Sequence, residues 1–134
     1  MKNTITTFLI ALVLISCKKD FSPIATDISI YHTGQSENDR YEFRVSNNSA
    51  ESVWYRGYES KYPIYQYSIW RSDGWEGSGP GWCGTGLCVI EFPPGDAFFV
   101  EITKPQVDQP WRAGLQILYN EDEEGEMIWS QRID

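Results

Sequence analysis

Residues 40–46 read RYEFRVS: Tyr41, Phe43 and Val45 alternate with Glu42, Arg44 and Ser46. A repeat of two puts the three apolar side chains on one face and the polar ones on the other, as in a half-buried β-strand. Asn47-Asn48-Ser49 ends the strand with turn-forming residues. Working outward, the same reading makes Val53–Tyr58 the second arm of a hairpin and Ile64–Trp70 a third strand opened by Pro63. Ile28 and Ile30 begin a strand upstream. Downstream, Leu87–Phe92 and Ala97–Ile102 flank a Pro93-Pro94-Gly95 turn, with Phe98, Val100 and Ile102 on one face. Trp111–Tyr119 and Met127–Ile133 close the chain as a hairpin with an acidic tip. No stretch of ten residues carries a capped helical period, so the expected fold is all-β, an antiparallel β-sandwich of about 7–8 strands.

The 134 residues suit one domain. An apolar fraction of 41% and an aromatic fraction of 15% supply the buriable surface that a disordered chain lacks. The formal charge of −8 argues against a nucleic-acid partner, because that affinity comes from Lys and Arg displacing counterions from phosphates.

The first residues have the anatomy of an export signal: Lys2, the apolar run Phe8–Ile15, then Ser16 and Cys17. The run is too short for a permanent span, which needs about 20 apolar residues. Leu14-Ile15-Ser16-Cys17 resembles the bacterial lipobox. That resemblance implies a signal peptide of residues 1–16, diacylglyceryl transfer to the Cys17 sulfur, and a membrane partner reached through lipid. An ordinary secretory signal is the competing reading. Several acyl chains anchor stably where one holds only marginally. Loss of residues 1–16, whose one charge is Lys2, takes the net charge to −9. Lys18-Lys19-Asp20 is similar to the charged start of Bacteroidota lipoproteins, which favours the outer membrane and leaves the leaflet open. Residues 17–26 read as a lipidated tether and 27–134 as the β-sandwich domain.

Three cysteines leave one odd in any disulfide scheme. Lipidation of Cys17 removes it, and Cys83 and Cys88 are then expected to pair. A loop this short contributes about 2 kcal/mol on the chain-entropy model. A redox or metal pair is the alternative, but the spacing is neither CxxC nor part of a four-ligand set. The segment VIEFPPGDAFFVEI (89–102), followed by a hairpin ending in WSQRI, resembles immunoglobulin-like and fibronectin-like bacterial surface domains. The likeness covers about the last fifty residues and implies a fold only. Cys83 and Cys88 are too close to make the inter-sheet bridge of antibody domains.

Nine Trp and Tyr residues fall between Trp54 and Trp82, and Trp75 and Trp82 sit in the Gly-rich stretch 74–86. Flat rings on a sandwich edge stack on sugars or fill a partner's pocket. Trp70, Trp75 and Trp82 are therefore the candidate ligand-binding residues, against the alternative that they pack over the open end of the sandwich. Glu121, Asp122, Glu123, Glu124 and Glu126 crowd one tip, where a solvated turn is favoured over a calcium loop because the D-x-D-x-D-G spacing is missing. His32 is the one histidine, at the end of the first expected strand. Ser78 lacks the glycines of a nucleophile elbow. No catalytic residue, metal ligand or cofactor is expected. The chain reads as a non-enzymatic binding module for a glycan or protein. The alternative is an inhibitor or immunity-type lipoprotein whose acidic surface blocks a cationic cell-wall hydrolase.

Overall fold

The computed structural model describes residues 27–58, 62–79, 86–121 and 125–134. Residues 1–26, with the expected export segment, Cys17 and the expected tether, lie outside them. Ten strands occur among the described residues: β1 (Ile28–Glu37), β2 (Arg40–Asn47), β3 (Val53–Tyr58), β4 (Tyr62–Pro63), β5 (Tyr65–Arg71), β6 (Gly74–Ser78), β7 (Leu87–Phe92), β8 (Ala97–Thr103), β9 (Trp111–Leu118) and β10 (Gly125–Trp129). They form two antiparallel sheets. One runs β1-β2-β8; the other runs β4-β3-β9-β5-β6, with β10 also on β9 and β7 also on β3. The two antiparallel sheets pack together as an all-β sandwich.

The alternation in RYEFRVS is realised through Val45, while Ser46, expected on the polar face, is buried. Phe43 and Val45 are buried, Arg44 is exposed, and Tyr41 packs against the core. β8 repeats the pattern, with Val100 and Ile102 buried and Phe99 and Glu101 exposed. The facing sheet contributes Val53, Tyr55, Phe92, Trp111, Leu115 and Ile117. Trp111 is fully buried and meets Tyr41 and Phe43 edge-on, with centroids 5.3 and 6.0 Å apart. Truncating such a side chain to Ala costs about 3–5 kcal/mol.

Three further expectations need correction. β2 and β3 are not a hairpin: the chain crosses from one sheet to the other between them. The fully buried Asn47 holds that corner. Its Nδ2 donates to Phe92 O (2.8 Å) and Glu51 O (3.0 Å), and its Oδ1 accepts from the backbone N (3.0 Å) and Oγ (2.6 Å) of Ser49. The β7–β8 corner is tied to the same residue, since Asn47 N donates to Asp96 O and Gly95 N to Asn47 O.

Second, β1 runs five residues beyond His32. A bulge between His32 and Ser36, with Gly34 at φ 89°, interrupts the alternation that would have revealed it. The two-residue loop Asn38-Asp39, at φ 50° and 61°, then closes the hairpin with the primed geometry that matches strand twist. Third, the Gly-rich stretch opens with a strand, β6, which pairs residue for residue with β5. That strand and the short β4 account for the count above eight.

The seven-stranded sheet contains an unusual join. Gly114 and Leu115 pair with both β5 and β10, while Ile117 and Leu118 pair with both β3 and β10. β3 and β5 therefore lie end to end along one edge of β9. The chain achieves this by folding β4 back on β3, Gly57 opposite Pro63, before it turns into β5 at Ile64, whose N donates to Arg56 O. Proline suits the short β4 because it has no N–H to give to a ladder. The fold-back carries Tyr58, Tyr62 and Tyr65 to the edge of the sandwich beside β8.

Candidate functional site

Trp70 and Trp75 are cross-strand partners in the β5–β6 hairpin, with rings edge-to-face at 5.3 Å. Both are half-buried. Trp82 lies outside the described residues. The stack continues away from the hairpin. The Arg112 guanidinium sits 4.4 Å from the Trp75 centroid and 4.5 Å from that of Trp129. Trp129 in turn lies over Gly114, its register partner. A cation between two indoles gains from both ring quadrupoles, about 0.5–2 kcal/mol per contact depending on desolvation. Burial lowers the Arg112 pKa from its usual value. Among the described residues no carboxylate pairs with Arg112, and its Nε is buried without a hydrogen-bond partner. The rings of Trp75 and Trp129 are thus already engaged by the protein's own arginine. The sequence flags Trp70 and Trp75 by composition, but gives Arg112 and Trp129 no role. Their meeting depends on strands β6, β9 and β10 converging on one outer face.

The expected Cys83–Cys88 bridge is not seen. Cys88 is a free thiol on β7, opposite Gly57, and its Sγ donates to Gly57 O at 3.3 Å. The side chain is turned onto the neighbouring strand, and Cys83 lies outside the described residues.

His32 is a packing residue. Its ring lies against Tyr41 and Phe43, with centroids 5.1 and 5.6 Å away, and its Nε2 is 3.1 Å from Gln35 O in its own bulge. The Gln131 side chain clasps its backbone, accepting from His32 N and donating to His32 O. Of the acidic tip, Glu121 and Glu126 fall among the described residues. Glu126 hydrogen-bonds Tyr119, raising the phenol's pKa together with burial, which is the larger cause. No group of three metal-binding side chains occurs among the described residues.

A concave site opens where the two sheets part. Tyr58, Tyr62, Pro63 and Tyr65 form one wall; Phe99, Glu101 and Thr103 of β8, with Arg40 of β2, form the other. The cleft encloses about 560 Å³, within the range of small-ligand sites. Tyr62 is 64% and Phe99 59% exposed, well above any other large apolar side chain described. Arg40 and Glu101 make an exposed ion pair at 3.5 Å on the rim. Tyr65 closes the inner end: burial raises its pKa, and a hydrogen bond with the Thr103 backbone, which lowers it, ties β5 to β8. Arg40 and Glu101 also border a second, polar groove of about 790 Å³ along the β1–β2 tip, lined by Gln35, Ser36, Asn38 and Glu42 among others.

No family model, curated protein or solved structure matches the chain.

The site rests, then, on its own chemistry. Of the cleft's parts, Phe99 was within reach of the sequence. If Phe98 faces inward in AFFVEI, Phe99 faces solvent, and an outward phenylalanine on a strand is an anomaly worth marking. Tyr62 is one of the nine Trp and Tyr residues between Trp54 and Trp82, but nothing local says that it returns to face β8.

Proposed function

We propose that the chain is a non-enzymatic binding module of the cell envelope, held to the membrane by lipid on Cys17 and taking a glycan or protein ligand in the cleft between β8 and the β3–β5 fold-back. The observation that carries this reading is the exposure of Tyr62 and Phe99 on opposite walls of one cleft. Large rings left in water on facing walls have surface to lose on binding, whereas the Trp75 and Trp129 rings already hold Arg112. Trp70, Trp75 and Trp82 remain a second candidate surface. Arg40 and Glu101 supply donors and acceptors at the rim, and His32 is occupied by packing, which fits binding better than turnover.

The test uses the full chain and its Tyr62→Ala/Phe99→Ala double variant against envelope preparations separated into polysaccharide and protein fractions. Retention by the parent and loss in the double variant supports the cleft. Equal retention by both moves the site elsewhere, and a Trp75→Ala variant then tests the tryptophan face. Anchoring is tested by incorporation of labelled palmitate, expected in the parent and absent in Cys17→Ser.

The acidic groove beside the cleft, with Glu37, Glu42 and Glu101 around Arg40, favours a second reading as an inhibitor of a cationic cell-wall hydrolase. That association would weaken steeply with salt.

A further inference from the structure

The chemistry of the cleft narrows its ligand, given the proposed binding role. We infer that it takes a neutral oligosaccharide, laid from the tyrosine cleft into the polar groove along the β1–β2 tip.

Three observations converge. First, the two cavities share Arg40 and Glu101, so they adjoin at that ion pair while differing in character. The cleft presents aromatic faces, and the groove presents amide, hydroxyl and carboxylate groups from Gln35, Asn38, Ser36 and Glu42. A sugar chain has the matching duality, with C–H faces that stack on aromatic rings and hydroxyl edges that both donate and accept hydrogen bonds. A purely apolar ligand would leave the groove's polar groups desolvated without partners.

Second, the charges along the two cavities disfavour an anion. Among the described residues that line the two cavities the one cation, Arg40, is paired with Glu101 at 3.5 Å, and Glu37 and Glu42 add negative charge alongside. A phosphate or uronate would meet net repulsion. Third, Tyr62 and Phe99 are held by strands, with rings already out in solvent before any ligand arrives. Rigid platforms of this kind lose little conformational entropy on stacking.

Isothermal titration of the full chain in detergent tests this, with cellohexaose, maltohexaose, xylohexaose, mannohexaose and fully N-acetylated chitohexaose as neutral probes and polygalacturonate as the acidic comparison. At least one neutral hexasaccharide is expected to bind. Tyr62→Ala and Phe99→Ala should each weaken it about tenfold or more, and both sites are exposed enough for the fold to survive. The affinity should change less than about twofold between low and high salt, because a neutral ligand carries no charge to screen. Absence of binding by every neutral probe overturns the inference. So does a preference for polygalacturonate, or neutral binding that both alanine variants leave unchanged. If the double variant loses an envelope ligand while no neutral probe binds, the cleft stands and the saccharide assignment falls. If neither depends on Tyr62 and Phe99, the cleft itself falls.

Discussion

The ring of Trp129 occupies the space into which a Cβ on Gly114 would project: its Cε3 and Cζ3 atoms stand 2.5 and 2.6 Å from that position. The glycine is the floor on which the tryptophan lies, and the tryptophan is one of the two plates that hold Arg112.

Gly114→Ala must lift the indole or bend β9, either of which breaks the Trp129–Arg112 contact. The expected loss is about 1–3 kcal/mol, the range for overpacking a close contact, read from the urea midpoint. Gly77→Ala, at a strand position with open space around its Cβ, is the control and should stay within about 0.5 kcal/mol of the parent. Equal effects at the two positions would show that glycine entropy, and not the Trp129 contact, governs.

The same cluster marks what the sequence could convey. Period-two alternation in RYEFRVS and AFFVEI identified the inward faces, because burial there depends only on which side of the strand a residue occupies. It failed at the β1 bulge, where Gly34 breaks the period, and at β6, where glycines hide a strand that pairing with Trp70 makes plain. Arg112 between Trp75 and Trp129, and Tyr62 across from Phe99, depend on pairings between distant segments that no local pattern encodes. The fold-back at Pro63–Ile64 is the extreme case: it reads as a strand start, yet it turns the chain from β3 onto β9.

Asn47 should be the most costly polar residue to remove. Both of its amide protons and its carbonyl oxygen are used, and its side chain joins the β2–β3 and β7–β8 corners in a fully buried position. Asn47→Ala takes the side-chain donor from the Phe92 carbonyl, at about 1–3 kcal/mol for a buried group left without a partner, whereas the Glu51 carbonyl keeps its bond from the Ser49 hydroxyl. A total loss of about 2–4 kcal/mol is expected. Asn47→Asp should be no milder, since a carboxylate facing those two carbonyls donates nothing. A loss below about 1 kcal/mol in chemical denaturation would mean that water takes over the bonds.

Ser72 opens the β5–β6 turn at φ 49°, a left-handed conformation that costs an L-residue about 1–2 kcal/mol. Ser72→Gly removes that strain while adding unfolded-state entropy. The expected net gain is about 0.5 kcal/mol, seen as a higher melting temperature. Gly95→Ala is the converse case. Its φ is 81° and nothing lies within 4 Å of the added Cβ, so only backbone strain opposes it, and stability should fall by about 1 kcal/mol. A gain at both positions would refute the backbone argument.

Tyr119 gives the fold an alkaline limit. Burial, then the hydrogen bond to Glu126 and that residue's charge, hold the phenol's pKa above its usual 10.0. The group therefore ionises more readily in the unfolded chain than in the folded one. Its contribution is fully present below about pH 10 and is lost as pH rises toward the folded-state value. Tyr55 and Tyr65 are shifted the same way, chiefly by burial, and add to the trend. Urea midpoints should therefore hold level between pH 8 and pH 9 as far as these groups are concerned, then decline above about pH 10. Tyr119→Phe forfeits the hydrogen bond at neutral pH, about 0.5–1.5 kcal/mol, but has no proton to lose. Its deficit against the parent should shrink as pH rises past 10. A deficit that stays constant through pH 11 would place the Tyr119 phenol at an ordinary pKa and dissolve the link to Glu126.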